Sequence, residues 1–262
     1  MRPKIDFDLI NSSYLTLTHD GVAPFIQRVD NAYNATEDVY LEQFGTKQPQ
    51  ALSFPHNKSR TKIGFGQSAF FDFDYMDCSS VTFSVNWPLT FIFSYWYPED
   101  TNLTEYGAIF SFSDSTKDDS FLRCAETVQS NQHDLVFQIR EGNVWVNAGF
   151  GDDTTIYGNH SYLNSDINIG CVVLEDGVVT VWKNGILKNR VTFSNPSSIG
   201  NYDSFTVGAV KTLSNQEAAQ LHNGRSLNRI MVFNDKLEPQ LMHYYAKSMV
   251  SERTTGNVYG TH

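Results

Sequence analysis

Ile167-Asn168-Ile169-Gly170-Cys171-Val172-Val173-Leu174 runs into Glu175-Asp176-Gly177. Val178-Val179-Thr180-Val181-Trp182-Lys183 follows and ends in Asn184-Gly185. Both apolar runs are strand-length and rich in β-branched residues, and each closes on residues that tolerate the left-handed backbone. Asn-Gly is the preferred pair for a two-residue hairpin turn, because both of its central positions need positive φ. The stretch therefore predicts two hairpins in direct succession. The same grammar extends on either side. Leu135, Phe137 and Ile139 alternate with Val136, Gln138 and Arg140, and Glu141-Gly142-Asn143 turns the chain into Val144-Trp145-Val146-Asn147. In Thr90 to Tyr97, the residues Phe91, Phe93, Tyr95 and Tyr97 share one face before Pro98-Glu99-Asp100 ends the run. Gly107 to Ser113 is expected to place Ala108, Phe110 and Phe112 together.

Helix signals are few. Ser214-Asn215-Gln216-Glu217 has the form of a capping box before Ala218-Ala219-Gln220-Leu221, which predicts one short helical turn. A second helix is expected from Pro239, with Leu241, Tyr244, Tyr245 and Met249 at helical spacing. Residues 1–50 differ from the rest in their polar, turn-rich composition, and are expected to form an N-terminal arm with one or two strands. Residues 51–250 form the folded core, and 251–262 a fraying tail.

Composition bounds the function. With 19 Lys+Arg against 29 Asp+Glu the formal net charge is -10, which argues against a nucleic-acid partner. The 40% hydrophobic content of 262 residues is enough for a sizeable core. No apolar stretch approaches the roughly 20 residues that span a bilayer, so no membrane insertion is expected. Met1-Arg2-Pro3-Lys4 leads into Ile5-Asp6-Phe7-Asp8 and not into an apolar signal core, which predicts synthesis in the cytoplasm without a leader. Cys78, Cys124 and Cys171 form no C-x-x-C pair, so no disulfide scaffold is expected. Sequons begin at Asn11, Asn34, Asn57, Asn102 and Asn159, and are read as products of an Asn-, Ser- and Thr-rich composition.

Taken in order, the segments resemble a laminin G-like domain of the concanavalin A-like jelly-roll superfamily. Ala51-Leu52-Ser53-Phe54 with Phe70-Phe71-Asp72-Phe73 resembles the opening strand pair, and Leu89 to Pro98 the strand in which an aromatic precedes Pro. Ile169 to Val191 is similar to the hairpin that ends in Asn-Gly, and Phe205-Thr206-Val207-Gly208-Ala209 to the strand after it. Asn223 to Leu237 resembles the closing strand, before a helix at Glu238-Pro239. The resemblance covers roughly residues 50–250 and implies an all-β jelly-roll sandwich with short helical decorations. Ile5-Asp6-Phe7-Asp8-Leu9 and Phe25 to Tyr33 resemble the lead-in of such domains in tailed-phage virion proteins. That likeness implies a virion component, made in a host cytoplasm, that decorates a capsid or tail or serves adhesion. Its partners would be copies of itself and other virion subunits, docked through the arm in a trimer or higher ring.

Such sandwiches host lectins, glycanases and structural domains alike, so the site must be argued separately. Glycanases of the superfamily carry Glu-x-Asp-x-x-Glu on one strand, which supplies the paired carboxylates of retaining hydrolysis. The chain has no such string, nor His-Glu-x-x-His, Gly-x-Ser-x-Gly or a phosphate loop, and a non-enzymatic role is expected. A glycan hydrolase with a divergent site is the remaining enzymatic reading, and a carbohydrate-binding module outside any virion the remaining binding one. Calcium is the one candidate cofactor, implied by the laminin G resemblance. Asp72, Asp74 and Asp77 are the preferred ligands, ahead of Asp152-Asp153 or Asp114 with Asp118-Asp119. Recognition of a surface glycan calls for an exposed aromatic bordered by amide or carboxylate groups. Trp96, Tyr97, Tyr106, Trp145, Tyr157, Tyr162 and Tyr202 are the aromatic candidates. Trp145 and Trp182 lie inside strands and read as core or sheet-face residues. The loop Tyr157-Gly158-Asn159-His160-Ser161-Tyr162, with Trp96 and Tyr106, is the preferred carbohydrate surface.

Overall fold

The computed structural model of the chain describes residues 3–9, 12–19, 24–32, 39–43, 48, 50–54, 57–64, 75–78, 88–96, 107–129, 132–150, 167–175, 177–193, 202–219 and 226–254. They form an all-β sandwich with one long helix, consistent with a jelly roll. The smaller sheet runs β1 (Ile5–Asp8), β19 (Ser226–Phe233), β8 (Leu89–Trp96), β13 (Ile167–Glu175), β14 (Val178–Lys183) and β15 (Ile186–Thr192). The larger runs β12 (Val144–Gly149), β11 (Gln132–Glu141), β10 (Ser120–Gln129), β9 (Gly107–Ser113), β16 (Ser204–Val207), β7 (Met76–Cys78), β4 (Tyr40–Glu42), β3 (Pro24–Asp30), β5 (Gln50–Phe54) and β6 (Asn57–Gly64), with β2 (Leu15–His19) also paired to β3. A small hairpin of β17 (Val210–Thr212) and β18 (Asn215–Ala219) stands apart from both, and α1 spans Pro239–Thr254. Neither α1 nor any other helix among the described residues is long and apolar enough to cross a membrane.

The hairpins predicted from the sequence are present. Glu175 pairs with Val178, and Lys183 with Ile186 across Asn184-Gly185, whose φ values of 50° and 79° are those the primed turn demands. Glu141 likewise pairs with Val144 across Gly142-Asn143.

The core between the sheets is aromatic. Phe91, Phe93 and Tyr95 from β8 meet Phe110 and Phe112 from β9, Phe137 from β11 and Phe205 from β16, with Phe91 and Phe93 each within 6 Å of Phe110. Gly170 lies directly opposite Phe93, and a Cβ there would come 2.2 Å from the ring's Cζ. Only glycine lets the ring lie over the backbone. The outer face of the smaller sheet is covered by α1, whose Met242, Ala246 and Met249 pack on Ile92, Ile169, Cys171, Val173, Met231 and Phe233. Of the four residues expected on the packed face, Met249 is buried and Tyr245 packs partly buried against the cluster, whereas Leu241 and Tyr244 are exposed and Met242 and Ala246 pack in their place. Thr90 fixes the approach to the helix, since its hydroxyl donates to the Asp235 carbonyl at 2.7 Å and accepts from the Leu237 amide at 3.0 Å. All three cysteines are buried and none is in a disulfide. Burial pushes the Cys78 and Cys171 thiols up to about 12.

Three expectations change. Residues 214–217 do not start a helix. Thr212 pairs with Asn215, and the Ser214 amide and hydroxyl donate to the Asp118 carboxylate at 2.7 and 2.6 Å. Ala108 does not share a face with Phe110 and Phe112, because the register shifts by one on β9 between the Phe110–Cys124 and Ala108–Ala125 pairs. Ile109 enters the core in its place, and Ala108 joins Phe121 and Val210 on the outside. Residues 5–8, expected in an arm, are a strand of the smaller sheet with Ile5 and Phe7 in the core, while β2, β3 and β4 belong to the larger one.

Candidate functional site

The larger sheet turns a second face away from the core, and its registers place two rows of side chains there. One row runs Asp77, Thr206, Ser111, Arg123, Gln138, Asn147 across β7, β16, β9, β10, β11 and β12. The adjacent row runs Ser204, Ser113, Phe121, Arg140, Trp145. Alternation along each strand makes this separation, since Leu122, Cys124, Phe137, Ile139 and Val146 all point the other way, into the core.

Hydrogen bonds run along the first row. Arg123 Nε donates to Gln138 Oε1 at 2.7 Å, and Gln138 Nε2 donates to Asn147 Oδ1 at 2.7 Å. Ser111 Oγ donates to the Ala209 carbonyl at 2.8 Å, and Lys211 on β17 pairs with Asp77. The β17–β18 hairpin thus anchors over the Asp77 end of the row. At the other end Asn147 is exposed. In the second row, Trp145 remains 46% exposed although it lies within a strand. Its indole is held by the Phe121 ring edge-on at 5.9 Å and by the Arg140 guanidinium 5.0 Å over the ring. An aromatic whose neighbours fix its orientation, beside a chain of side-chain amides, matches the requirements of a sugar platform.

Arg123 is only 6% exposed, and its guanidinium sits 5.0 Å from the Phe121 ring centroid. Burial, together with the charge of Arg140, holds its pKa down to about 10.

Of the candidates drawn from the sequence, Tyr106, Tyr157, Asn159, Tyr162, Tyr97, Asp72, Asp74 and Asp152-Asp153 lie outside the described residues. Trp96 is placed as the last residue of β8, where it pairs with Ile167 and Ser226. Tyr202 is fully buried in the core and presents nothing to a ligand. Trp182 is half-buried against the α1 cluster. Asp77 is buried and ion-paired to Lys211. Asp114 accepts from the Thr116 amide and hydroxyl and pairs with Lys117 at 3.2 Å, and Asp118 holds Ser214. Among the described residues, no three Asp, Glu, His or Cys side chains converge to hold a metal ion.

No family model matches the sequence, and neither does any curated protein. Solved structures share the fold. One is of botulinum neurotoxin type C, a toxin that depends on interaction with two ganglioside molecules to enter cells. It has a TM-score of 0.57 at 14% identity, covering 90% of this chain and 50% of that one. Another is the binding domain of botulinum neurotoxin DC in complex with rat synaptotagmin II, with a TM-score of 0.55 at 15% identity, covering 90% of this chain and 51% of that one. A fainter likeness is to the Ruminococcus gnavus IT-sialidase CBM40 bound to α2,3-sialyllactose, with a TM-score of 0.45 at 14% identity, covering 61% of this chain and 82% of that one. The chain thus spans about half the length of the toxin structures it resembles.

Proposed function

We propose that the chain is a non-catalytic glycan-recognition domain that binds sugar on the outer face of its larger sheet. Trp145 supplies the stacking surface, and the amides of Gln138 and Asn147 supply donors and acceptors for hydroxyls. The observation that carries this reading is the half-exposed Trp145, steadied by Phe121 and Arg140 on an otherwise polar face. An indole left in water costs apolar burial, and a sugar's C–H face recovers it.

Recognition is favoured over hydrolysis by the charge pattern. Asp77, in the first row, is ion-paired to Lys211 and is not free to serve in the carboxylate pair that retaining chemistry needs. A toxin of the same fold depends on gangliosides, which keeps glycan partners in view without assigning one. In the virion setting that the sequence resemblance implies, such a domain would attach a particle to surface carbohydrate.

The test is a glycan array probed with the chain and with Trp145→Ala. Binding to a defined set of glycans, lost or weakened about tenfold or more in a variant with an unchanged melting temperature, is the expected result. Equal binding by the variant would remove the site from this face.

A further inference from the structure

Two cations on the same face, Arg123 and Arg140, make no ion pair with any of the described residues. Arg123 and Arg140 are diagonal neighbours on β10 and β11, Arg123 standing opposite Gln138 and Arg140 opposite Phe121. Arg123 Nη1 and Arg140 Nε are buried and have no hydrogen-bond partner among the described residues. The outer-face neighbours of Arg123 are Ser111, Ser113, Ala108, Phe121, Ala125, Val136, Gln138 and Arg140, and none is acidic. The hairpin anchored over the row brings a further cation, Lys211, whose partner is Asp77. Asp118, an acidic group near enough to feel the charge of Arg140, is exposed and accepts from the Ser214 amide and hydroxyl.

A buried guanidinium with an unmatched N–H is costly, and a fold that serves only for stability would place an apolar residue there or supply a carboxylate. Here the nearby side chains orient the guanidinium instead of neutralising it. Gln138 takes Arg123 Nε, and the Phe121 and Trp145 rings lie against the two guanidinium groups. A planar anion suits such a fork better than a hydroxyl does, because it can accept parallel N–H bonds.

We infer that Arg123 and Arg140 form an anion subsite beside Trp145, which takes the carboxylate of an acidic sugar. This rests on the glycan reading above and narrows it to a substrate class. The sugar ring stacks on the indole while its carboxylate meets the two guanidinium groups, whose Arg123 Nη1 and Arg140 Nε have no partner among the described residues.

The experiment measures the melting temperature of the chain, of Arg123→Met and of Arg140→Met, in sodium glucuronate, sodium acetate and sodium chloride at equal ionic strength, with glucose as the neutral control. Glucuronate is expected to raise the melting temperature of the chain above the other three, and to do so in neither variant. On an array, the chain should prefer carboxylate-bearing glycans over their carboxyl-reduced partners by about tenfold, a preference that both variants lose. Arg140 is half-buried, so its variant tests the subsite even if Arg123→Met fails to fold. Equal protection by glucuronate and chloride overturns the subsite, and equal protection by acetate overturns the sugar part of it. Equal binding of acidic and neutral glycans removes the subsite but leaves the glycan reading standing. Protection by glucuronate with an empty array removes the glycan reading and, with it, the acidic-sugar assignment.

Discussion

Asn184 does two jobs at a single position. Its φ of 50° turns the chain from β14 into β15, and its side-chain Oδ1 accepts the Ile169 amide at 2.8 Å while its own amide donates to the Ile169 carbonyl at 2.9 Å. The turn is thereby tied to β13, two strands away from β15. Asn184→Ala keeps neither property, since it strands the buried Ile169 N–H and puts a Cβ-bearing residue without a local hydrogen bond into the left-handed region. It should cost about 1–3 kcal/mol in urea unfolding, with the glycan face intact. An Asn184→Gly variant that restores the backbone freedom should recover only part of that loss. The turn itself was visible in the sequence, because Asn-Gly between β-branched runs has few other uses. The second role was not, because it depends on which strand lies alongside.

Elements differ in how far their partners lie along the chain, and that distance governs what could be read. The hairpins β11–β12 and β13–β14–β15 pair with their immediate neighbours, and local alternation with a turn signal was sufficient. The strand β1 pairs with β19, so that Asp6 meets Met231 and Asp8 meets Arg229. Ile5-Asp6-Phe7-Asp8 does alternate, but four residues with a partner at the far end of the chain gave no local clue that Ile5 and Phe7 reach the core. The carboxylate of Asp6 receives Arg229 through two bonds of 2.8 and 2.7 Å, and Asn31 Oδ1 accepts the Asp6 amide at 3.0 Å. Removing residues 1–9 deletes three buried apolar side chains, each worth about 1.5–3 kcal/mol, and leaves Arg229 without its bidentate partner. The truncated chain is expected to unfold at a much lower temperature in calorimetry. An unchanged melting temperature would mean that these residues behave as a separable arm after all. In the β17–β18 hairpin the sequence misled for a different reason. Ser214 has the spacing of a helix cap, but Asp118 from the β9–β10 turn takes its hydroxyl and amide, and a tertiary contact overrides a weak local preference.

At the scale of the whole molecule, helix, small sheet and large sheet form three layers, and the two outer faces are treated differently. The smaller sheet hides its outer face under α1, with apolar residues on both sides. The larger sheet leaves part of its outer face to two polar rows, a half-exposed indole and two arginines. Half of that site lay within reach of the sequence. The Gly142-Asn143 turn sets Arg140 opposite Trp145 and Gln138 opposite Asn147, so the β11–β12 hairpin already carried those four on one face. Reading Trp145 as an ordinary sheet residue passed over it, and loop aromatics were preferred because loops on rigid scaffolds often carry function. Arg123 was out of reach, because its strand shows no clean alternation and its neighbours come from register alone. The central claim is therefore one of place, and backbone amide chemical-shift mapping with an array-selected glycan tests it most directly. The account predicts perturbed amides in 121–123, 138–140 and 145–147, with the core strand β8 unmoved. Perturbations confined to other residues, such as 157–162, would contradict it.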